Sequence, residues 1–260
     1  MVSTLRNRER ARTGTVRLDA EGVHYRLLNE RIREAVRAGA REVVIDNVCG
    51  QRYIADALSG EITLSVHGTP GNDLAAFMSG PTVIVRGNAQ DGVGNTMDAG
   101  LVVIHGNTGD IAGHSMRGGR IYVRGNAGYR VGIHMKAYHD FFPVVVIGGR
   151  AGDFLGEYMA GGLLVVLGFD PDKSGRPVVG ELAGTGMHGG TILVRGGVDP
   201  RTVGKEVRLE PPSATDMELL GEYLKEYCRH FGISPAAVME KPFTKLFPYT
   251  HRPYGKLYAY

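Results

Sequence analysis

Short runs in which apolar and polar residues alternate, each closed by glycine, recur along the middle of this chain at a fixed interval. Met78–Thr96 reads MSGPTVIVRGNAQDGVGNT, Met97–Ser115 reads MDAGLVVIHGNTGDIAGHS, and Met116–His134 reads MRGGRIYVRGNAGYRVGIH. Methionine returns at 78, 97, 116 and 135, a period of 19 residues. A fixed period near this length predicts stacked supersecondary units rather than one open sheet. A degenerate copy starts at Ser59, and further copies start at Met135, Met159 and Met187. The copy at Met135 carries five extra residues before VVVIGG, and the copy at Met159 carries nine after its strand. Stacked coils tolerate insertions at such places, between strands.

Two columns point to the core. One holds Leu64, Val83, Val102, Ile121, Val145, Leu164 and Ile192, and the other holds Val66, Val85, Ile104, Val123, Ile147, Val166 and Val194. Residues two apart on a strand face the same way, so both columns are expected to point inward. The expectation is a mainly β protein, a right-handed single-stranded parallel β-helix with coils spaced by roughly 4.8 Å. Glycine closes each strand at Gly87, Gly106, Gly125 and Gly149, and returns seven residues on at Gly94, Gly113, Gly132 and Gly156. These glycines are expected to supply positive φ at corners too tight for a Cβ.

The column between the inward ones holds Ser65, Ile84, Val103, Tyr122, Val146, Val165 and Leu193. The pleat turns it outward, yet six of its seven members are apolar, as at a contact surface. Ile84, Val103, Tyr122, Val146, Val165 and Leu193 are therefore candidate interface residues. Two covers are open: the chain's own C-terminal helix and tail, or a partner or second copy. The expectation is that the tail covers part and another chain the rest.

The flanks read differently. Residues 1–20 are arginine-rich and predict a loose basic arm, and 21–58 predict a helix at Tyr25–Ala38 and a strand at Glu42–Ile45 leading into the β-helix of 59–204. That helix is expected to cap the open end, because exposed strand edges invite aggregation. In 205–260 a helical extension is expected, with a capping box at Thr215 and Glu218, an apolar face at Leu220, Leu224, Tyr227 and Phe231, and Gly232 at its end. A shorter helix follows Ser234-Pro235. The closing stretch carries Phe243, Phe247, Tyr249, Tyr254, Tyr258 and Tyr260 and is expected to dock on this chain or a partner.

Composition removes several classes. The 260 residues are 43% hydrophobic and 22% charged, with a net charge of +3 that gives no reason to expect nucleic acid. No apolar run approaches a membrane span and no secretory leader is read, so the expected location is the cytoplasm. The two cysteines, Cys49 and Cys228, suit a reducing compartment and are too few for a four-cysteine iron–sulfur cluster. Gly92-Val93-Gly94 sits in a repeat corner with no helix behind it, which argues against a dinucleotide loop. Asp91, Asp110 and Asp153 share a column interrupted by Tyr129. They could hold calcium, but accepting turn N–H groups is the favoured role. His67, Arg86, His105, Arg124 and Arg195 form an outward column, read as a solvated or partner-paired face in preference to an anion stripe. His114, His134, His139 and His188 share no column, which speaks against a metal cluster. No Ser/His/Asp arrangement is readable, and Cys49 with a distant histidine is the one nucleophile pairing left open.

The segments GNAQDGVGNTM, MRGGRIYVRGNAGYRVG and AGDFLGEYMAGGLLVVLG resemble the GXGXG β-helix domain that closes the large subunit of glutamate synthase. NVCGQRYIADALSGEITLSVHGTPGNDLAAFM resembles the start of the same domain. The likeness runs from about Leu27 to Asp199. The same β-helix occurs in one of the subunits of formylmethanofuran dehydrogenase and in one of methylamine–glutamate methyltransferase. The resemblance implies a stand-alone structural subunit, because the glutamate synthase chemistry lies in glutaminase and FMN/iron–sulfur domains absent here. Val2 stands where the glutaminase has its cysteine nucleophile. The resemblance thus implies no catalytic, cofactor or metal residue on this chain, with FMN and an iron–sulfur cluster on a partner. The implied partners are glutaminase and FMN/iron–sulfur subunits, with a homo-oligomer also open. A free-standing enzyme working in a surface groove is the alternative of another class.

Overall fold

Runs of β-branched residues separated by glycine corners form one strand per repeat in the computed structural model, which describes residues 14–169 and 175–249. Seven strands stack in parallel: β3 (Thr63–Thr69), β4 (Ser79–Val85), β5 (Ala99–Ile104), β6 (Arg120–Val123), β7 (Val144–Ile147), β8 (Ala160–Val166) and β9 (Gly189–Arg195). Before them come β1 (Thr15–Asp19), helix α1 (Tyr25–Arg37) and β2 (Glu42–Cys49). The register pairs Leu64 with Val83, Val102, Ile121, Val145, Leu164 and Ile192 in succession, so like stacks on like. Both inward columns belong to one core with the methionines that open each repeat, all shut off from solvent.

The return path of each coil is a second ladder that no strand describes. Every second residue there is left-handed: Gly92, Gly94 and Thr96 in one coil, Ile111, Gly113 and Ser115 in the next, Arg130, Gly132 and His134 in the third. The three N–H groups of a coil point alternately to its two neighbours. Ile111 donates to the Tyr129 carbonyl, Gly113 to Val93 and Ser115 to Ile133, each at 2.8 Å. This alternation satisfies the backbone without β geometry, as buried peptide groups require. Between the left-handed positions, Leu74, Val93, Ala112, Val131 and Leu155 turn into the core.

The two glycine columns do different jobs. Gly94, Gly113, Gly132 and Gly156 have φ near 70° and lie on the ribbon, as expected for corner glycines. Gly87, Gly106, Gly125 and Gly149 lie outside the left-handed region. A Cβ at Gly106 would strike the Gly87 carbonyl and the Asn88 side-chain oxygen. That oxygen accepts the Asn107 N–H at 2.8 Å, and Asn107 and Asn126 repeat the bond one coil further on. The expectation of positive φ therefore fails for this column, where close approach between coils is the reason for glycine.

Each end is closed by the chain itself. Leu28, Ile32 and Ala35 of α1 pack on the first coils, and the Asn29 amide donates to the Tyr25 carbonyl within the helix and ties the helix to the Arg52 carbonyl, both at 2.9 Å. The loose arm read over 1–20 is corrected in part: β1 pairs in parallel with β2, and Arg17 bonds Asp46. The run TVRLD is too short for its alternation to stand out among arginines. Residues 1–13 lie outside the described residues.

The C-terminal extension is not purely helical. It contains β10 (Val207–Glu210), α2 (Ala214–Phe231), α3 (Pro235–Met239) and β11 (Phe243–Pro248). Strand β11 pairs antiparallel with β9, and β10 pairs with β11, so the parallel stack ends in an antiparallel cap. The capping box of α2 uses Ser213 and Asp216 rather than Thr215 and Glu218, and Gly232 ends the helix in the left-handed region. Of the aromatic tail, Phe243 is buried and Tyr249 exposed, while Tyr254, Tyr258 and Tyr260 lie outside the described residues.

Candidate functional site

Because the coil interior is filled by valine, isoleucine, leucine and methionine, any site must sit on the outside. The apolar outward column is the first test. Helix α2 lies across it, placing Leu220, Leu224, Tyr227, Cys228 and Phe231 against Val103, Tyr122, Val146, Val165 and Leu193. All five column residues are fully buried, and only Ile84, at the edge, is partly covered. The interface expectation is corrected for those five, whose cover is this chain's own helix. Alternation reveals that a face is apolar, not what lies on it. Polar groups cross the seam: Tyr122 donates to Glu226 at 2.8 Å and the Tyr227 hydroxyl to the Val123 carbonyl at 3.2 Å, while Arg120 Nε lies 3.2 Å from Glu226 as an ion pair without a hydrogen bond. Burial and the neighbouring carboxylate push the Tyr122 phenol far above its usual range, so it stays protonated.

The aspartate column is a hydrogen-bond ladder. Asp91 Oδ1 accepts the Asp110 N–H at 2.9 Å, Asp110 Oδ1 the Tyr129 N–H at 2.8 Å, and Asp153 Oδ1 the Glu181 N–H at 2.9 Å. Cys49 is exposed and Cys228 is buried under α2. Among the described residues, no three His, Cys, Asp or Glu side chains converge as a metal site would need.

One polar chain, unread in the sequence, comes near a nucleophile arrangement. Asp73 accepts from the Asn95 amide at 3.1 Å, Asn95 Oδ1 meets His114 Nδ1 at 3.1 Å, and His114 Nε2 lies 3.5 Å from Ser115 Oγ. Its members come from three coils, so only a 19-residue lookup would have aligned Asn95 with His114. Burial and His134 hold the His114 imidazole below its usual pKa, which favours the neutral ring. The last link is too long for a good hydrogen bond. Acyl transfer also needs free N–H donors for an oxyanion. Here the Ser115 N–H goes to Ile133 and the Met116 N–H to Gly113. The chain braces the ribbon, with His134 stacked on Tyr158 and edge-on to His114.

The basic column divides. His67 bonds Asp46 at 2.8 Å, and the Arg17 guanidinium, then His67, hold that carboxyl below the usual range. Arg195 is buried, donating to the Val238 and Ala237 carbonyls at 2.7 and 2.9 Å beside the Phe169 ring. Between them His105 and Arg124 line a cleft of about 600 Å³ whose walls include Gly106, Gly125, Phe169 and Ile233, and Arg86 meets His105 from the preceding coil. A second cleft of about 450 Å³ lies beside Asn126, Tyr129 and Asp153. Exposed apolar side chains include Tyr53, Phe77 and Leu182 on the ribbon and Tyr138, Phe141 and Phe142 at the five-residue insertion.

Known proteins share this architecture. The family model described as the GXGXG motif matches residues 27–250. An uncharacterized protein of Methanocaldococcus jannaschii is 48% identical over 250 residues, covering 93% of this chain and 95% of its own. Among solved structures, the formyltransferase/hydrolase complex of Methylorubrum extorquens, determined with methylofuran, matches with a TM-score of 0.59. That match has 24% identity and covers 78% of this chain and 71% of the other, a likeness of fold.

Proposed function

The chain belongs to the GXGXG motif family, and from that premise we propose that it is the non-catalytic β-helix subunit of a multi-chain enzyme of the glutamate synthase type. In this reading a glutaminase chain releases ammonia from glutamine. An FMN/iron–sulfur chain reduces the imine formed with 2-oxoglutarate to glutamate. The present chain braces the two in the cytoplasm. The observation that carries the reading is the family match over nearly the whole chain, joined to a surface on which the polar chain nearest to a catalytic form has its N–H groups already spent. Among the described residues no helix is long and apolar enough to cross a membrane.

The test is reconstitution. The purified chain alone is expected to release no ammonia from glutamine and to hold no stoichiometric flavin. Added to glutaminase and FMN/iron–sulfur chains of the same organism, it should raise glutamine-dependent glutamate formation by at least about ten-fold, since mispositioned groups cost factors of this size or larger. Glutaminase turnover by the chain alone would overturn the non-catalytic role.

A second reading has one observation in its favour. The matching solved structure is a formyltransferase/hydrolase complex, so service as the β-helix subunit of a formylmethanofuran-type system stands beside the first. Methylamine–glutamate methyltransferase is a third assembly with such a subunit. Stable association with formyltransferase/hydrolase chains, and none with glutaminase and flavin chains, would select the second reading.

A further inference from the structure

The cleft beside His105 has a chemistry of its own. Arg86, His105 and Arg124 follow the paired residues Val85, Ile104 and Val123, so they stand in line on three successive coils. At roughly 4.8 Å per coil, the two arginines flank the histidine at a spacing the solenoid fixes. Arg86 Nη1 lies 2.8 Å from His105 Nε2. Guanidinium has no acceptor, so the ring nitrogen must accept and the imidazole is neutral, its proton on Nδ1. Burial, followed by Arg86, Arg124 and His230, pushes its pKa down in agreement with that tautomer.

Among the described residues, neither arginine has a carboxylate partner. The Arg86 guanidinium has this neutral ring as its hydrogen-bond partner, and the Arg124 side chain makes no hydrogen bond or ion pair among the described residues. The carboxylate that acts on His230 nearby, Glu226, is already engaged by Tyr122 and Arg120. The C-terminal end of α2 borders the cleft through Ile233 and presents a partial charge of about −0.5, outweighed by two full positive charges. The apolar part of the wall is Phe169, whose ring also meets the Arg195 guanidinium, and Ile233, with the Phe231 ring edge-on to His105 at 5.3 Å. A volume of about 600 Å³ suits a small molecule better than a protein segment, which would need a broad surface.

We propose that this cleft binds a small organic oxyanion, a carboxylate or phosphate ester with an apolar or aromatic body. Arg124 takes the charged group, Arg86 adds its positive charge from behind the His105 ring, and Phe169 and Ile233 take the body. Guanidinium is suited to both anions through its paired N–H donors.

NMR titration of the full chain tests this, following the His105 ring and Ile233 methyl signals. The probes are inorganic phosphate, phenyl phosphate, benzoate, neutral benzyl alcohol and an oligoglutamate peptide. Phenyl phosphate or benzoate should shift both signals saturably and bind more tightly than inorganic phosphate or benzyl alcohol. The tighter of the two aromatic anions identifies the head group. Arg124→Ala should weaken binding by about ten-fold or more, the scale of a lost charge-assisted hydrogen bond. Phe169→Ala should weaken the aromatic anions and leave inorganic phosphate unchanged, and Arg31→Ala on α1 should change nothing. Arg124→Gln serves if the alanine variant misfolds. Absence of saturable shifts with any anion, unchanged affinity in the Arg124 variants, or tighter binding of oligoglutamate than of either aromatic anion would overturn the proposal.

Discussion

Within one coil, the strand and the ribbon satisfy the same backbone demand by opposite means. The strand uses side chains: β-branched residues at every second position set its conformation and fill the core, and parallel pairing follows. The ribbon uses the main chain. Its alternate residues are left-handed whatever their type, including Phe77, Thr96, Ile111, Ser115 and Tyr158. Coil-to-coil hydrogen bonds hold them there against a cost of roughly 1–2 kcal/mol each. A strand can therefore be changed in conformationally similar ways and keep its shape, whereas the ribbon depends on its neighbours at every step.

The harshest way to break the comparison is on the strand's inner face. Val85→Asp should abolish folding, because an unpaired buried charge costs several kcal/mol against a total stability of roughly 5–15. A soluble variant with native circular dichroism would refute the register. Next is the strand's outer face. Val103→Lys should cost about 3 kcal/mol of helix docking while leaving the coils stacked. Hydrogen exchange should then show α2 amides losing protection and β5 amides keeping theirs. Equal loss in both would mean that the helix and coils are one cooperative unit.

Glycine substitutions separate close approach from handedness. Gly106→Ala meets the backbone carbonyl of Gly87 and should cost about 3 kcal/mol, the upper range for overpacking. Gly132→Ala meets the movable end of Leu164 and a left-handed φ, and should cost about 1–2 kcal/mol. Ala75, left-handed and buried in the same column, shows that a Cβ fits there. Denaturant unfolding of both variants decides, and a larger loss at Gly132 would reverse the assignment. Smallest of all, Thr96→Gly relieves a β-branched left-handed residue but frees the unfolded chain and removes the Thr96–Asn95 bond. A net gain of about 0.5 kcal/mol is expected by the same measurement. A clear loss of stability would mean that the ribbon bears no strain at this position.

The same contrast explains what is legible in the sequence. The inward columns are, because period and alternation both act on side chains. The ribbon is not, because its outer left-handed column holds residues as unlike as Tyr53, Asp73, Gly92, Ile111 and Arg130. Only its middle column, glycine or alanine, leaves a trace. The outer apolar stripe is visible and its cover is not: the sequence predicts α2 as a helix, but no local pattern gives its docking site. Strands β1 and β10 are too short for alternation to register. At the cleft, the repeat aligns Arg86, His105 and Arg124, yet Phe169 and Ile233 reach it from an inserted loop and from beyond α2, which the period cannot align.

The central claim is that this solenoid acts by joining other chains. Native mass spectrometry of the chain mixed with glutaminase and FMN/iron–sulfur chains tests it most directly. The prediction is a single assembly containing all three, with FMN retained on the flavin chain and the mass of the present chain unchanged by any cofactor. An active two-chain enzyme that leaves the present chain free in the same spectrum would contradict it.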